Sequence, residues 1–467
     1  MNRPEHTERS RRRVTRILRV VLAVIGLSIT TSPILIDLID AWWAGGDVHV
    51  ELGSHTAVTV AVGVAYLILS AVLQKLPFAV SQASLFLIFI PIFVGFVECA
   101  GRISGYDFAQ TRARWMETPI YYRQPTEPVG EVFFHRPGPA SWTGRVLTTE
   151  LRRLGAKEWD AYANEEEITV TYDEEGFRNP SALVDWEIVV LGDSFTELGY
   201  LPYSDLFSSK LADKLKCRVK NLGVSYTGTL NQCCLLREYG IADSTKDAIL
   251  VFFEGNDCRD THREYRSLQR YRETGERELR NLVGHKKTSF VRAVAGILQR
   301  TERTTDRVVT NAVFGSGDNR VDLTVSDAPP NKTDLSNEEI IAVESALNDY
   351  AGIAESQHVR PWLVYMPCKR RVLHNHLQFS NEAKKSLVEW TPSDMPRWIE
   401  GVCEQNGIRF LDLTPHFVER ADSGLLLFNH VYDTHLNRIG SSLVADVLSK
   451  AFFRQSSEPS SESEKND

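Results

Sequence analysis

Three long apolar runs open the chain. They are Ile17 to Ile36 ("ILRVVLAVIGLSITTSPILI"), Thr56 to Leu73 and Ala83 to Gly101. Each is close to the roughly 20 residues that a helix needs to cross a ~30 Å hydrocarbon layer. A single globule has little room to bury three such runs in series, so the pattern predicts three transmembrane helices. Residues 103 to 180 are mixed, and "GEVFFHRPG" and "EEITVTYDEEGFRNP" read as short strands with turns. From Trp186 the pattern alternates. Strand-like runs at Ile188–Leu191, Val219–Leu222, Ala248–Phe253, Trp362–Tyr365 and Ile408–Leu411 are separated by helical periodicity around 205–216, 229–240, 336–356, 395–406 and 436–453. This alternation predicts an α/β domain over 181–453, with a mainly parallel sheet covered on both faces. Residues 258–335, rich in Arg, Glu, Thr and Asp, read as a helical, partly mobile insertion. The Ser/Glu-rich residues 454–467 read as a disordered tail.

Charge decides which way the chain faces. Seven arginines precede or enter the first run (Arg3, Arg9, Arg11, Arg12, Arg13, Arg16 and Arg19), whereas the Asp40–His55 loop has no Lys or Arg and carries Trp42 and Trp43. The positive-inside bias then makes residues 1–16 a cytoplasmic tail, 17–101 a three-helix anchor, and everything after Arg102 extracytoplasmic. This predicts a multi-pass protein of a bacterial inner membrane. Pro91 and Glu98 weaken the third run; without that span the large domain would face the cytoplasm. The first run has no small-x-small cleavage site, which speaks against a cleaved signal peptide. Three spans are also too few for a transport pathway.

A net charge of −8 argues against nucleic acid as a partner. The seven cysteines are scattered and odd in number, with no C-x-x-C pair and no H-E-x-x-H, so neither a metal nor a cofactor is expected. Most read as buried thiols, and one disulfide stays open for an oxidising compartment.

The chemistry is concentrated at segment ends. "EIVVLGDSFTEL" places Ser194 just past an apolar strand. Such a serine is either an ordinary strand-to-helix turn residue or a nucleophile, and a nucleophile requires a base with an orienting group. "VYDTHLNRIG" carries Asp433 and His435 two residues apart; in an extended segment the two side chains share one face. Asp433 equally suits a helix cap, with His435 then a surface residue. "LVFFEGNDCRD" ends a strand in Asn256, either a turn residue or an amide donor to an oxyanion. Lys369, Arg370 and Arg371 follow another strand end, as a solvated basic turn or as a grip for an anionic sugar or carboxylate.

In this order the motifs resemble those of the GDSL/SGNH hydrolase family. Gly192-Asp193-Ser194 matches its first block, Gly255-Asn256-Asp257 its third and Asp433-x-His435 its last. "YDEEGFRNP" and "DTHLNRIG" look like membrane-linked members, similar to polysaccharide O-acetyltransferases and acetylesterases. The resemblance covers roughly 170–453. It implies a three-layer α/β/α domain with Ser194 as nucleophile, His435 as base and Asp433 as its orienting group. The implied oxyanion donors are the Ser194 N–H, the Asn256 side chain and backbone N–H groups at Tyr226 and Gly228; the implied substrate contacts are Lys369 and Arg370. Two departures stand out. Tyr226 occupies the place of the family's second-block glycine, and Asp433 and His435 are two rather than three apart. The expected function is an extracytoplasmic serine esterase acting on acyl, chiefly acetyl, groups of an envelope or exopolysaccharide glycan. An acyltransferase of the same fold, or a non-catalytic glycan-binding component, are the alternatives. The expected partners are the lipid bilayer, an acylated carbohydrate or other ester, and exopolysaccharide assembly proteins.

Overall fold

The computed structural model describes residues 12–31, 54–72, 93–101, 103–104, 127–129, 133–136, 138–147, 165–180, 183–275, 290, 310–315, 320–326, 328–381, 383–430 and 434–456. The chain divides into two compact units, residues 1–112 with 287–302, and residues 113–286 with 303–467.

In the first unit, α1 (Arg12–Thr31) is a 20-residue helix, long and apolar enough to cross a membrane. α2 (Ser54–Val72) overlaps the second predicted span, and its shorter apolar run is Val62–Val72. The two helices touch closely. A Cβ on Gly63 would lie 2.2 Å from Thr30 Oγ1 and 2.8 Å from Gly26 O, the small-residue contact that lets apolar helices approach without a hydrophobic driving force. At the other end Arg19 Nε donates to Ser70 O (3.0 Å) and Ser70 Oγ to Arg19 O (2.8 Å). Of the third predicted span only 93–101 is described, as helix. One helix among the described residues therefore meets the length and composition of a span.

The second unit is built on five strands, all parallel: β5 (Ile188–Gly192), β6 (Val219–Gly223), β7 (Asp247–Phe253), β10 (Arg360–Met366) and β12 (Arg409–Asp412), in the order β12-β10-β7-β5-β6. These are the five strands expected from the apolar runs. "IVVLG" and "DAILVFF" are buried at every position because helices cover both faces. The alternate residues divide between two cores. Ile188, Val190, Ile249 and Val251 pack with Phe207 and Leu211 of α4 (Phe207–Leu215), Phe417 of α10 (Thr414–Asp422) and Val444 and Leu448 of α11 (Arg438–Ser456). Val189, Leu191, Leu250 and Phe252 pack with Leu235 of α5 (Thr229–Leu235), Leu347 and Tyr350 of α7 (Asn337–Ser356) and Ile399 of α9 (Met395–Gln405). The result is the expected three-layer α/β/α arrangement.

Smaller pieces surround it. β1 (Glu127–Val129) pairs with β2 (Phe133–His135), and β3 (Ala140–Gly144) with β4 (Ile168–Tyr172), both antiparallel. The expected insertion over 258–335 requires correction. Residues 257–274 form α6 (Asp257–Thr274), an integral helix that opens at Asn256 and ends at Gly275 in a left-handed cap. β8 (Ala312–Phe314) and β9 (Val321–Leu323) then join β11 (Leu377–Phe379) in a three-stranded antiparallel sheet. All seven cysteines are free, five of them buried.

Candidate active site

From β5 the chain first steps outward to β6 and then returns to β7, β10 and β12 on the other side. Strand succession reverses between β5 and β7, and at that point the connections diverge and leave a crevice beyond the carboxyl ends. Ser194 follows β5 and Asn256 follows β7, so both lie at this crevice.

The nucleophile turn is tightly specified. Asp193 Oδ1 accepts the Phe195 N–H (2.8 Å) and so caps the short helix α3 (Ser194–Glu197), which Leu198 ends with φ 42°. The turn rests on two glycines that pair across the sheet. A Cβ on Gly192 would meet Thr196 Oγ1 at 2.2 Å, and one on Gly223 would meet Glu197 N at 2.3 Å.

His435 reaches the serine from the far end of the sequence. Its Nε2 lies 2.7 Å from Ser194 Oγ, although the two residues are 241 positions apart in sequence. Its ring centroid is 4.7 Å from that of Phe195 and 5.3 Å from that of Tyr200. The Asn429 N–H donates to the His435 carbonyl (2.8 Å), and a bridge joins Phe428 and Leu436. Asn437 locks the segment. Its Nδ2 donates to the Leu426 and Phe428 carbonyls, and its Oδ1 accepts the Ile439 and Gly440 N–H groups that begin α11. That side chain fills the capping place considered for Asp433, which lies outside the described residues.

The Asn256 amide stands among carboxylates. Nδ2 donates to Asp260 Oδ2 at 2.7 Å and to Asp193 Oδ2 at 3.3 Å, and that Asp193 oxygen is 3.5 Å from Ser194 Oγ. Carboxylates only accept hydrogen bonds, so these neighbours fix which end of the carboxamide faces Ser194. Burial raises the Asp193 and Asp257 carboxyls above their ordinary values, and the Asp193 charge raises Asp257 further. Burial also raises Asp260, against the pull of Arg263. Ser194, Asn256 and His435 are all partly exposed at the crevice.

Tyr226 follows β6 with φ 70°, in the left-handed region that favours glycine. The backbone there matches the glycine expected at this place, although the side chain does not. The other expected donor is corrected. The Gly228 N–H donates to Glu264 Oε1 (2.6 Å), and a Cβ on Gly228 would lie 2.4 Å from Thr261 N. Gly228 is where the loop packs against α6. The expected substrate contacts are corrected too. Lys369 is 1% exposed, and its Nζ donates to the Thr324 and Asn429 carbonyls. Arg370 is 2% exposed and donates to the Leu387 and Trp390 carbonyls. Arg371 pairs with buried Glu254. The basic run spends its donors inside the fold because α8 (Lys369–Val372) is buried.

Sequence reasoning missed the buried supports. Fully buried Glu197 accepts from Arg136, from Tyr172 Oη (2.5 Å), and from both Ser225 N (2.6 Å) and Ser225 Oγ (2.5 Å). Burial alone would raise this carboxyl; the Arg136 charge and the hydrogen bonds from Arg136, Ser225 and Tyr172 together hold it below its ordinary value. Arg178 donates to the carbonyls of Glu197, Leu198 and Leu201, behind the nucleophile turn. Asn179 pairs with the Asn221 backbone in both directions (2.7 and 3.0 Å). The signal was present in "YDEEGFRNP", whose Arg and Asn are costly to bury unless they hold something in place.

No family model and no curated protein matches the chain. Among solved structures it is similar to an acetyl xylan esterase (13% identity, covering 56% of this chain and 98% of that one, TM-score 0.30). It is similar to a member of the lipolytic G-D-S-L family from Veillonella parvula (12%, 57% and 98%, TM-score 0.30). It is also similar to an acetylxylan esterase variant from Geobacillus stearothermophilus (12%, 58% and 94%, TM-score 0.28).

Proposed function

We propose that this chain is a membrane-anchored serine esterase whose α/β domain faces away from the cytoplasm and removes short acyl groups, chiefly acetyl, from a glycan. The observation that carries the reading is the 2.7 Å contact between Ser194 Oγ and His435 Nε2, at the strand ends where α/β folds bind ligands. The acyl class and the glycan follow from the motif resemblance, and the orientation follows from the arginine-rich N-terminus.

In this mechanism His435 Nε2 takes the Ser194 hydroxyl proton as Oγ bonds to the ester carbonyl carbon. The carbonyl oxygen becomes an oxyanion, received by the Ser194 and Tyr226 N–H groups and by Asn256 Nδ2. Asn256 turns its longer, 3.3 Å bond away from Asp193 and keeps the 2.7 Å bond to Asp260. The C–O bond to the sugar then breaks, and His435 returns its proton to the departing alcohol. Water repeats the sequence on the acyl-serine and releases the acid. A sugar hydroxyl in place of water gives the acyltransferase. Asp433 orients the imidazole in this scheme.

The test is mass spectrometry of the full-length protein after incubation with p-nitrophenyl acetate. An acetyl adduct on Ser194, absent in Ser194→Ala and in His435→Ala, is expected. A folded protein with no adduct and no ester turnover overturns the esterase and favours the glycan-binding alternative.

A further inference from the structure

Tyr226 is strained and exposed at once. Its φ of 70° lies in the left-handed region, which a residue with a Cβ adopts only under strain. The residue is 51% exposed, while Val224, Ser225, Thr227 and Thr229 around it are buried. The flanking residues impose this geometry. The Ser225 N–H and Oγ are both held by Glu197, Thr227 Oγ1 donates to the Val224 carbonyl (2.6 Å), and the Gly228 N–H is held by Glu264. Strain kept in place by such a surrounding is a mark of functional positions.

The loop's place is equally defined. The Val224 N–H donates to the Gly192 carbonyl (3.0 Å), two residues before Ser194. Glu197, three residues after Ser194, grips Ser225. Tyr226 is therefore carried on a loop tied to both sides of the nucleophile turn. An exposed aromatic side chain at this place suits a ligand with an apolar face, which the faces of a pyranose ring supply.

We infer that the Tyr226 side chain is the platform on which the sugar ring of the substrate stacks while its ester lies at Ser194, making Tyr226 a specificity-determining residue. This rests on the esterase reading above, and the experiment separates the two. The full-length enzyme is assayed on glucose pentaacetate, which has a pyranose ring, and on ethyl acetate, which has none. The ratio of the two kcat/KM values is expected to fall about fivefold in Tyr226→Ala and to be kept in Tyr226→Phe and Tyr226→Trp. A ratio unchanged in Tyr226→Ala overturns the platform and leaves the esterase intact. If the wild type hydrolyses neither ester, the esterase reading fails. The platform is then read by saturation-transfer NMR with methyl β-glucopyranoside: transfer lost in Tyr226→Ala supports it, and no transfer to the wild type overturns it.

Discussion

Glu197 shows how much one buried side chain can organise. It receives Arg136 and Tyr172 from the lead-in strands and Ser225 from the β6 loop, and it belongs to the helix that Ser194 begins. Removing one partner of a buried ion pair leaves the other uncompensated, at a cost of about 3–5 kcal/mol. Glu197→Ala is expected to lower the thermal midpoint sharply and to slow labelling of Ser194, since the Tyr226 loop loses its clamp. Calorimetry beside fluorophosphonate labelling checks both effects. At this scale Ser194, Asn256 and His435 were legible because their residue types stand at segment ends. Lys369 and Arg370 were misread because a basic run after a strand looks solvated in sequence, and only the packing of α8 shows that its donors are consumed.

Among elements, α6 is the one whose importance the sequence hid. Its charged composition reads as an insertion, yet Asp260 anchors Asn256 and Glu264 holds the Gly228 and Asn231 N–H groups. Burial pushes the Glu264 carboxyl up to about 8, although the two backbone N–H groups pull it down. The folded protein therefore binds this proton more tightly than the unfolded chain. The associated stability is complete below the ordinary carboxyl pKa and is lost as the pH rises through about 8. The raised Asp257 and Asp260 act in the same direction. Thermal midpoints measured from pH 5 to pH 9 are expected to fall in the wild type and to fall less steeply in Glu264→Gln. Equal slopes would mean that Glu264 does not titrate in this window.

At the scale of the whole molecule, the membrane topology remains a proposal supported by the α1 helix and the arginines before it. An alkaline phosphatase fused after residue 110 is expected to be active in a bacterial host, because that enzyme folds only after export. An inactive fusion beside an active cytoplasmic reporter would place the α/β domain inside.

By itself the sequence determined the parallel sheet, the order of its strands and helices along the chain, and the residue types at three strand or helix ends. Continuous apolar runs and helical periodicity are local properties, and local properties are what a linear pattern records. The tertiary structure alone decided which of those ends meet. The 241-residue separation of Ser194 and His435 closes only because β5 and β7 flank the switch point and α11 returns beside them. It also decided which polar groups are consumed internally, as at Gly228, Lys369 and Arg370, and which residue is forced outward, as at Tyr226. Burial and hydrogen-bond partnership depend on chain segments far apart in sequence, so no pattern along one segment can record them.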